Sequence, residues 1–595
     1  VAGRRAAVVA REDVAMAVDA APAPTAPRRA RWVPVVAAGL AYLGVSLLVW
    51  AHVWLTGDPA HTLTCPCGDV AQQLWWLEWF PRALQHGHNP FYSNALFARF
   101  GGINAESNLS WMLPAALLSP VTLAFGPIAS FNAANLLAPV ATGMAAYALA
   151  GRFTTLAWAR FAAGLAYAFS PFVMGNVDIG HVNLTMLAYT PLVVLVGDRL
   201  LCGETSPRRA GITLGCLTVA EAFFGTEGLA LTAGLVAGLL VALALVRRDV
   251  LAAAWRRVAT AAAIGGAIAA VGLAYPVWVF FFGPAHVGGP FWTTTAELGL
   301  DRFVWPRADV GVPVHSTMLA GYEGARGPGT QFLGLGIVLV VLVGALVVRR
   351  RAAYAVLGIA AAALLVLEAN PRRLVASVPL LNDVVSVRWA VGTTLCLSVM
   401  LAMVLDGWWR PARAPAVWVR AHLGRLGSGA AAVGCALAAF VPVAATYTLP
   451  FKVAPVSVPR WFATAGTRVP AGTAVLVVPF AWGSSDTAMV WQAEAGLRFA
   501  LVGGFGYVPG ADHRRASVLS PLPDATLLQQ LSAGVTPLSD AQRTALRRLL
   551  VGWAPLEVVA VDGHVPPPVL VTLDGVLGPG VHADGATTWA VRRRG

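Results

Sequence analysis

The sequence predicts an α-helical polytopic membrane protein of about 11–13 transmembrane helices, followed by a small α/β domain outside the membrane. Three observations carry this. Hydrophobic residues make up 57% of the 595 and charged ones only 12%, with a mean hydropathy of +0.66, whereas soluble domains are about 45–50% apolar. Apolar runs of roughly 20 residues, enough to cross a bilayer as a helix, recur from residue 33 to residue 447. After Leu449 the composition changes: β-type runs appear at 474–478 and 556–561, with a helical stretch at 540–550 between them.

Residues 1–32 mix Ala, Pro and Arg without periodicity and read as a disordered cytoplasmic tail. The first apolar run begins near Val33 and is long enough to span, so a cleaved signal peptide is not expected. The candidate spans are 33–56, 129–150, 155–173, 183–201, 210–226, 228–246, 258–283, 330–348, 353–369, 388–408 and 427–447. Segment 109–126, interrupted by Pro114 and Pro120, either crosses or is a re-entrant or interfacial helix. The re-entrant reading puts Arg152, Arg160, Arg208, Arg209, Arg247, Arg248 and Arg349 on the cytoplasmic side, as the positive-inside rule favours. Eleven spans then leave the N-terminus cytoplasmic and 448–595 extracytoplasmic. The expected organisation is a tail (1–32), a transmembrane domain (33–447) with a first outer loop at 57–108, and the extracytoplasmic α/β domain, all in the inner (plasma) membrane.

The formal charge of +13 comes almost wholly from arginine, since Lys452 is the sole lysine. Placed between apolar spans, these arginines are a topology signal, and the expected partner is the lipid bilayer rather than nucleic acid. Of the six cysteines, Cys202, Cys216, Cys396 and Cys435 lie in or beside apolar spans and act as small hydrophobes. Cys65 and Cys67, with one residue between them, are too close for an unstrained bridge in most backbones, and local packing is the expected role.

Loop 57–108 is the first long polar interruption and gathers Asp58, Asp69, Glu78 and Glu106 beside Trp75, Trp76 and Trp79. Its order is Gly68-Asp69, Gln72, Trp75, Trp79, Gly87, Asn89-Pro90-Phe91, then Gly101-Gly102-Ile103-Asn104. Farther on come Phe169-Ser170-Pro171 with Gly180-His181-Val182-Asn183, Glu323 ahead of Phe332-Leu333-Gly334, and Ser386-Val387-Arg388-Trp389. Over about 35–450 this series resembles the GT-C superfamily of membrane glycosyltransferases, especially its bacterial YfhO-like members.

The resemblance implies an enzyme that takes a sugar from a polyprenyl-phosphate donor and passes it, on the outer face, to a glycan, lipid or protein of the cell envelope. It also implies that an acid of the first loop acts as general base or helps to hold a divalent metal, Mg or Mn. Asp69 matches that position, without the adjacent second acid that a metal pair would give; Asp58 lies eleven residues earlier.

The residues themselves point the same way. Glycosyl transfer to a hydroxyl needs a carboxylate to take the proton and cations to stabilise the leaving phosphate. Asp69 supplies the first, unless it only caps the helix that follows. Arg388, Arg372 and Arg373 lie on the outer side and can pair with phosphate oxygens, with headgroup anchoring as their other reading. His181, Asp178, Glu323 and Asp58 form a second rank of polar site candidates. Trp75 and Trp79 are candidates for stacking on sugar, or else interface anchors. Glu221 inside an apolar helix suggests an interhelix hydrogen bond. Two other classes stay open: a transporter or flippase of lipid-linked glycans, which should show internal repeats and mid-membrane charge, and a non-catalytic scaffold that presents the C-terminal domain.

Overall fold

The computed structural model describes residues 28–592 except 67, 109, 179, 289–302, 305–331, 370–383, 471–472, 482–485, 511–515, 518–522 and 535–536. The chain forms two compact units: Val1–Leu55, Asn135–Leu273 and Trp292–Lys452 make one, and Thr56–Ala134, Ala274–Phe291 and Val453–Gly595 the other. The first outer loop and the C-terminal segment, read from the sequence as separate parts, therefore share one unit.

Among the described residues seven helices are long and apolar enough to cross a membrane, and every expected span falls on a helix. Thr226–Phe282 carries two of the expected spans and is broken at Arg247 (φ −145°, ψ 60°). The spans expected at 155–173, 210–226 and 330–348 appear as shorter or less apolar helices, Ala157–Ala168, Pro207–Phe224 and Leu335–Gly344. In the first unit the buried centre is Ala390–Trp409, packed by Arg351–Ala369, Ala157–Ala168, Ala414–Ala444 and Leu335–Gly344. Small residues let these helices approach closely: a Cβ at Gly336 would fall 1.7 Å from the Ala438 carbonyl oxygen. Leu40, Leu48, Leu245 and Val271 face outward, as lipid-facing positions should.

Segment 109–126 contributes the first part of helix Met112–Ala150, which breaks at Gly126 (φ 87°, ψ 166°). At about 1.5 Å per residue, 112–125 is about 21 Å long, short of the roughly 30 Å hydrocarbon core. Leu117 and Phe125 on it are exposed. That geometry suits an interfacial or re-entrant helix.

The second unit holds a five-stranded mixed sheet in the order Val581–Ala583, Ala586–Val591, Leu556–Val561, Ala474–Val478, Ala500–Leu501. The two strands expected from sequence, near 474–478 and 556–561, pair in parallel at its centre. The expected helix appears as Asp540–Gly552, started by a capping box between Ser539 and Gln542. The sheet edge at Ala500–Leu501 is covered by the first loop, since Leu501 N–H donates to Ala95 O (2.8 Å) and Ala98 N–H to Leu501 O (2.9 Å). Thr62–Leu63 likewise pairs antiparallel with Ala454–Pro455.

Candidate active site

The loop helix, Gly68–Gln85, is the element around which the second unit's polar groups gather. Its aromatic face packs on helix Thr487–Glu494. Trp75 Nε1 donates to Gln492 Oε1 (2.7 Å), and Gln492 Nε2 donates to Ala95 O (2.9 Å) and Phe499 O (2.7 Å). Gln72 Nε2 reaches Asn108 Oδ1 (2.9 Å) and Phe505 O (3.1 Å). Asn89 Nδ2 donates to the Tyr275 hydroxyl (2.8 Å), and Asn104 Nδ2 to Val279 O and Pro284 O. At Gly102 (φ 80°) a Cβ would lie 2.5 Å from Ser93 O, so the turn requires glycine. The loop motif is therefore mostly scaffolding: Gln72, Trp75, Asn89, Gly102 and Asn104 each hold the loop in shape.

Asp69 differs from them. It sits half-buried in the first turn of a helix whose neighbouring positions, Gly68 and Val70 through Trp79, are buried. The helix starts at Gly68 with φ 47°, a conformation glycine adopts at no steric cost. Gly68 N–H donates to Asp486 Oδ2 (2.8 Å). Asp486 occupies the N-cap position of helix Thr487–Glu494, yet its side chain makes no bond to that helix. Burial pushes the Asp486 carboxyl up to about 7, Asp69 nearby adds to the rise, and the Gly68 bond opposes it. Its Oδ1 is buried without a hydrogen-bond partner.

Other loop acids sit differently. Asp58 is exposed and closes a local turn, accepting from Ala60 N–H (2.8 Å) and facing His61 Nδ1 (2.8 Å); the His61 bond first, then the Ala60 bond, hold it below the usual carboxylate range. That makes it a weak base, and the expected site role gives way to a turn role. Glu78 is buried, which raises it, and is paired with Arg82. Glu106, which the sequence reading noted without assigning a role, is pushed up to about 7 by burial. That brings its carboxyl into the range suited to proton transfer near neutrality. Glu494 also rises to about 7 through burial, with Glu78 adding and the Ile128 backbone bond opposing.

Trp75 and Trp79 correct the sugar-stacking expectation. Trp75 is fully buried and stacks on Trp79 at 5.6 Å between centroids, while Trp79 stacks on His88 and donates Nε1 to Pro90 O (3.0 Å). Both rings are buried, Trp75 against Gln492 of the C-terminal segment and Trp79 between Trp75 and His88 of the loop itself. Cys65 is disulfide-bonded, against the expectation of local packing alone; Cys67 lies outside the described residues.

In the first unit, Arg388 lies in the short helix Ser386–Trp389 and pairs with Glu227. Glu227 keeps a second buried oxygen without a hydrogen-bond partner. The sequence reading paired Arg388 with phosphate oxygens, and the structure gives it a carboxylate partner. His181 is buried with Nδ1 3.2 Å from Asn176 Oδ1. Asp178 ends helix Pro171–Asp178. Glu221 accepts from Thr232 Oγ1 (2.6 Å), which also bonds Thr190 (2.8 Å), the interhelix bond expected of it. An apolar cavity of about 260 Å³ is lined by Phe169, Ser170, Pro171, Thr394 and Ser398 among others. Glu323, Arg372 and Arg373 lie outside the described residues. Among the described residues no three or more His, Cys, Asp or Glu gather as a metal cage, so no step below is routed through Mg or Mn.

The order of the helices, the structured first loop and the C-terminal α/β segment form a fold that solved structures share. The chain superposes on the cryo-EM structure of arabinofuranosyltransferase AftD from mycobacteria with TM-score 0.55 at 17% identity, over 96% of this chain and 40% of that one. A mutant form of AftD gives TM-score 0.57 at 17% identity, over 96% and 42%. The chain thus spans about 40% of AftD's length. ArnT from Cupriavidus metallidurans bound to undecaprenyl phosphate matches at TM-score 0.45 and 16% identity, over 95% of this chain and 98% of that one, too distant a superposition to carry an argument. No protein-family model and no curated protein match in sequence.

Proposed function

We propose that this chain is a membrane glycosyltransferase in which Asp69 is the general base. It moves a sugar from a polyprenyl-phosphate donor to a hydroxyl of a cell-envelope glycan, lipid or protein on the outer face. The observation that carries the reading is the half-exposed Asp69 carboxylate in the first turn of an otherwise buried loop helix, in a chain with this fold. In the reaction the acceptor oxygen forms a bond to the sugar's anomeric carbon, the bond from that carbon to the phosphate oxygen breaks, and the hydroxyl proton passes to Asp69. Polyprenyl phosphate leaves as the anion. Arg388 is the proposed ligand of that phosphate, exchanging Glu227 for phosphate oxygens through its planar fork.

The arabinofuranosyltransferase activity of AftD makes arabinofuranose the first sugar to test. Purified protein is incubated with radiolabelled polyprenyl-phosphate arabinofuranose and membrane extract. Wild type transfers label, and Asp69→Asn, which keeps a capping oxygen but cannot take a proton, stays folded and loses about 10²–10⁴-fold in rate. Turnover of Asp69→Asn within a few-fold of wild type moves the base elsewhere, with Glu106 next.

A further inference from the structure

We propose that Asp486 is the positioning residue for Asp69, so that the C-terminal domain completes the active-site helix rather than hanging from the membrane domain as an appendage. The inference rests on Asp69 being the base. It is carried by a misplaced cap. Asp486 stands where a residue caps its own helix, at the start of Thr487–Glu494, but spends its side chain on the Gly68 N–H that opens the loop helix. The two residues are 418 positions apart in sequence.

The bond satisfies an amide that the loop helix cannot satisfy itself, because the first four N–H groups of any helix lack intrahelical partners. The carboxyl oxygen accepts this bond in either protonation state, since Oδ2 stays an acceptor when the proton sits on Oδ1. Asp486 is buried and its other oxygen has no hydrogen-bond partner. Burying a carboxylate with one oxygen unmatched costs free energy, and a role in the local sheet or core does not explain that cost. Holding Gly68 fixed does, because Asp69 is the next residue. Thr487 adds a weaker tie from the same element, its hydroxyl lying 3.5 Å from Pro66 O. Displacement of a catalytic group by about 1 Å can cost about 10²-fold in rate.

Three variants of the full-length protein test it: Asp486→Ala removes the acceptor, Asp486→Asn keeps one, and Asp69→Asn marks the base. Two readouts are taken on folded protein isolated by size exclusion. The first is kcat and KM with polyprenyl-phosphate arabinofuranose. The second, needing no substrate, is hydrogen exchange of the amides at 68–72. Asp486→Ala is expected to lose about 10²-fold in kcat with KM within about 3-fold of wild type, and to exchange at 68–72 at least about 10-fold faster, as an opened helix start would. Asp486→Asn recovers most of both. A merely structural role lowers the yield of folded protein and leaves kcat of the folded fraction unchanged, which overturns the proposal. Equal kcat losses in the Ala and Asn variants with normal exchange in both also overturn it. A wild type silent toward this donor counts against the glycosyltransferase reading, and the exchange arm still decides whether Asp486 holds the helix start.

Discussion

Replacing Gln492 by Leu should loosen the joint between the first loop and the C-terminal segment by about 2–5 kcal/mol. The glutamine is fully buried and makes three bonds, accepting from Trp75 Nε1 and donating to Ala95 O and Phe499 O. Leucine of similar volume leaves the indole N–H and the Phe499 carbonyl unpaired, at about 1–3 kcal/mol for each buried orphan. Ala95 O suffers less, because it also accepts from Leu501 N–H (2.8 Å). Against a domain stability of about 5–15 kcal/mol the change is large. Pulse proteolysis of the full chain in detergent, scored against urea, measures it: with m about 2 kcal/mol per molar, the midpoint should fall by about 1–2.5 M. Gln492→Glu gives a second arm, since a carboxylate still accepts from Trp75 but cannot donate to either carbonyl. A loss below about 1 kcal/mol for Gln492→Leu would show that the loop helix is held by apolar packing alone and refute this reasoning.

Arg388→Ala should weaken binding of a polyprenyl phosphate without unfolding the protein, and Arg388→Lys should restore little of it because the planar fork is lost; unchanged affinity in the alanine variant removes Arg388 from the donor site. Since Arg388→Ala also strands Glu227, the double variant Arg388→Ala/Glu227→Gln should be more stable than Arg388→Ala alone, which a urea midpoint reads directly. Glu494 has a folded pKa near 7 against a usual 4.5, so the folded state holds its proton more tightly than the unfolded one. Its contribution is fully present below about pH 4.5 and is lost as pH rises to about 7. Glu494→Gln should therefore gain on wild type across that window and stay level above it; a pH-independent difference between the two would contradict the shift.

What the sequence revealed follows from what each signal depends on. Helix positions depend on local apolar runs, and the expected spans all met helices. The central strands at 474–478 and 556–561 were legible for the same reason: β-branched runs between turn residues are local. The break of helix Met112–Ala150 was only half legible. Pro114 and Pro120 suggested a broken helix, but the break falls at Gly126, whose positive φ proline cannot supply. Long-range pairings were not legible at all. Trp75 and Trp79 read as interface or sugar-binding aromatics because nothing in the loop says that Gln492 will bond Trp75 and that both rings will be buried. Arg388 stood out in sequence as a phosphate candidate, but nothing there joined it to Glu227, and only the fold does.

Asp486 shows the same limit most sharply and says something about how this loop is built. Locally, Asp486 ahead of 487–494 reads as an ordinary helix start, and that local reading is right about its position and wrong about its bond. Gly68 has no side chain to offer the first turn of the loop helix, and its own N–H is taken by Asp486. That bond reaches in from a short helix already tied to Trp75 through Gln492 and fixes the backbone at the start of the loop helix. The joint that buries the tryptophans and the bond that opens the helix are thus two ends of one short helix, Thr487–Glu494, and a change that shifts this helix should move Asp69 before it unfolds anything.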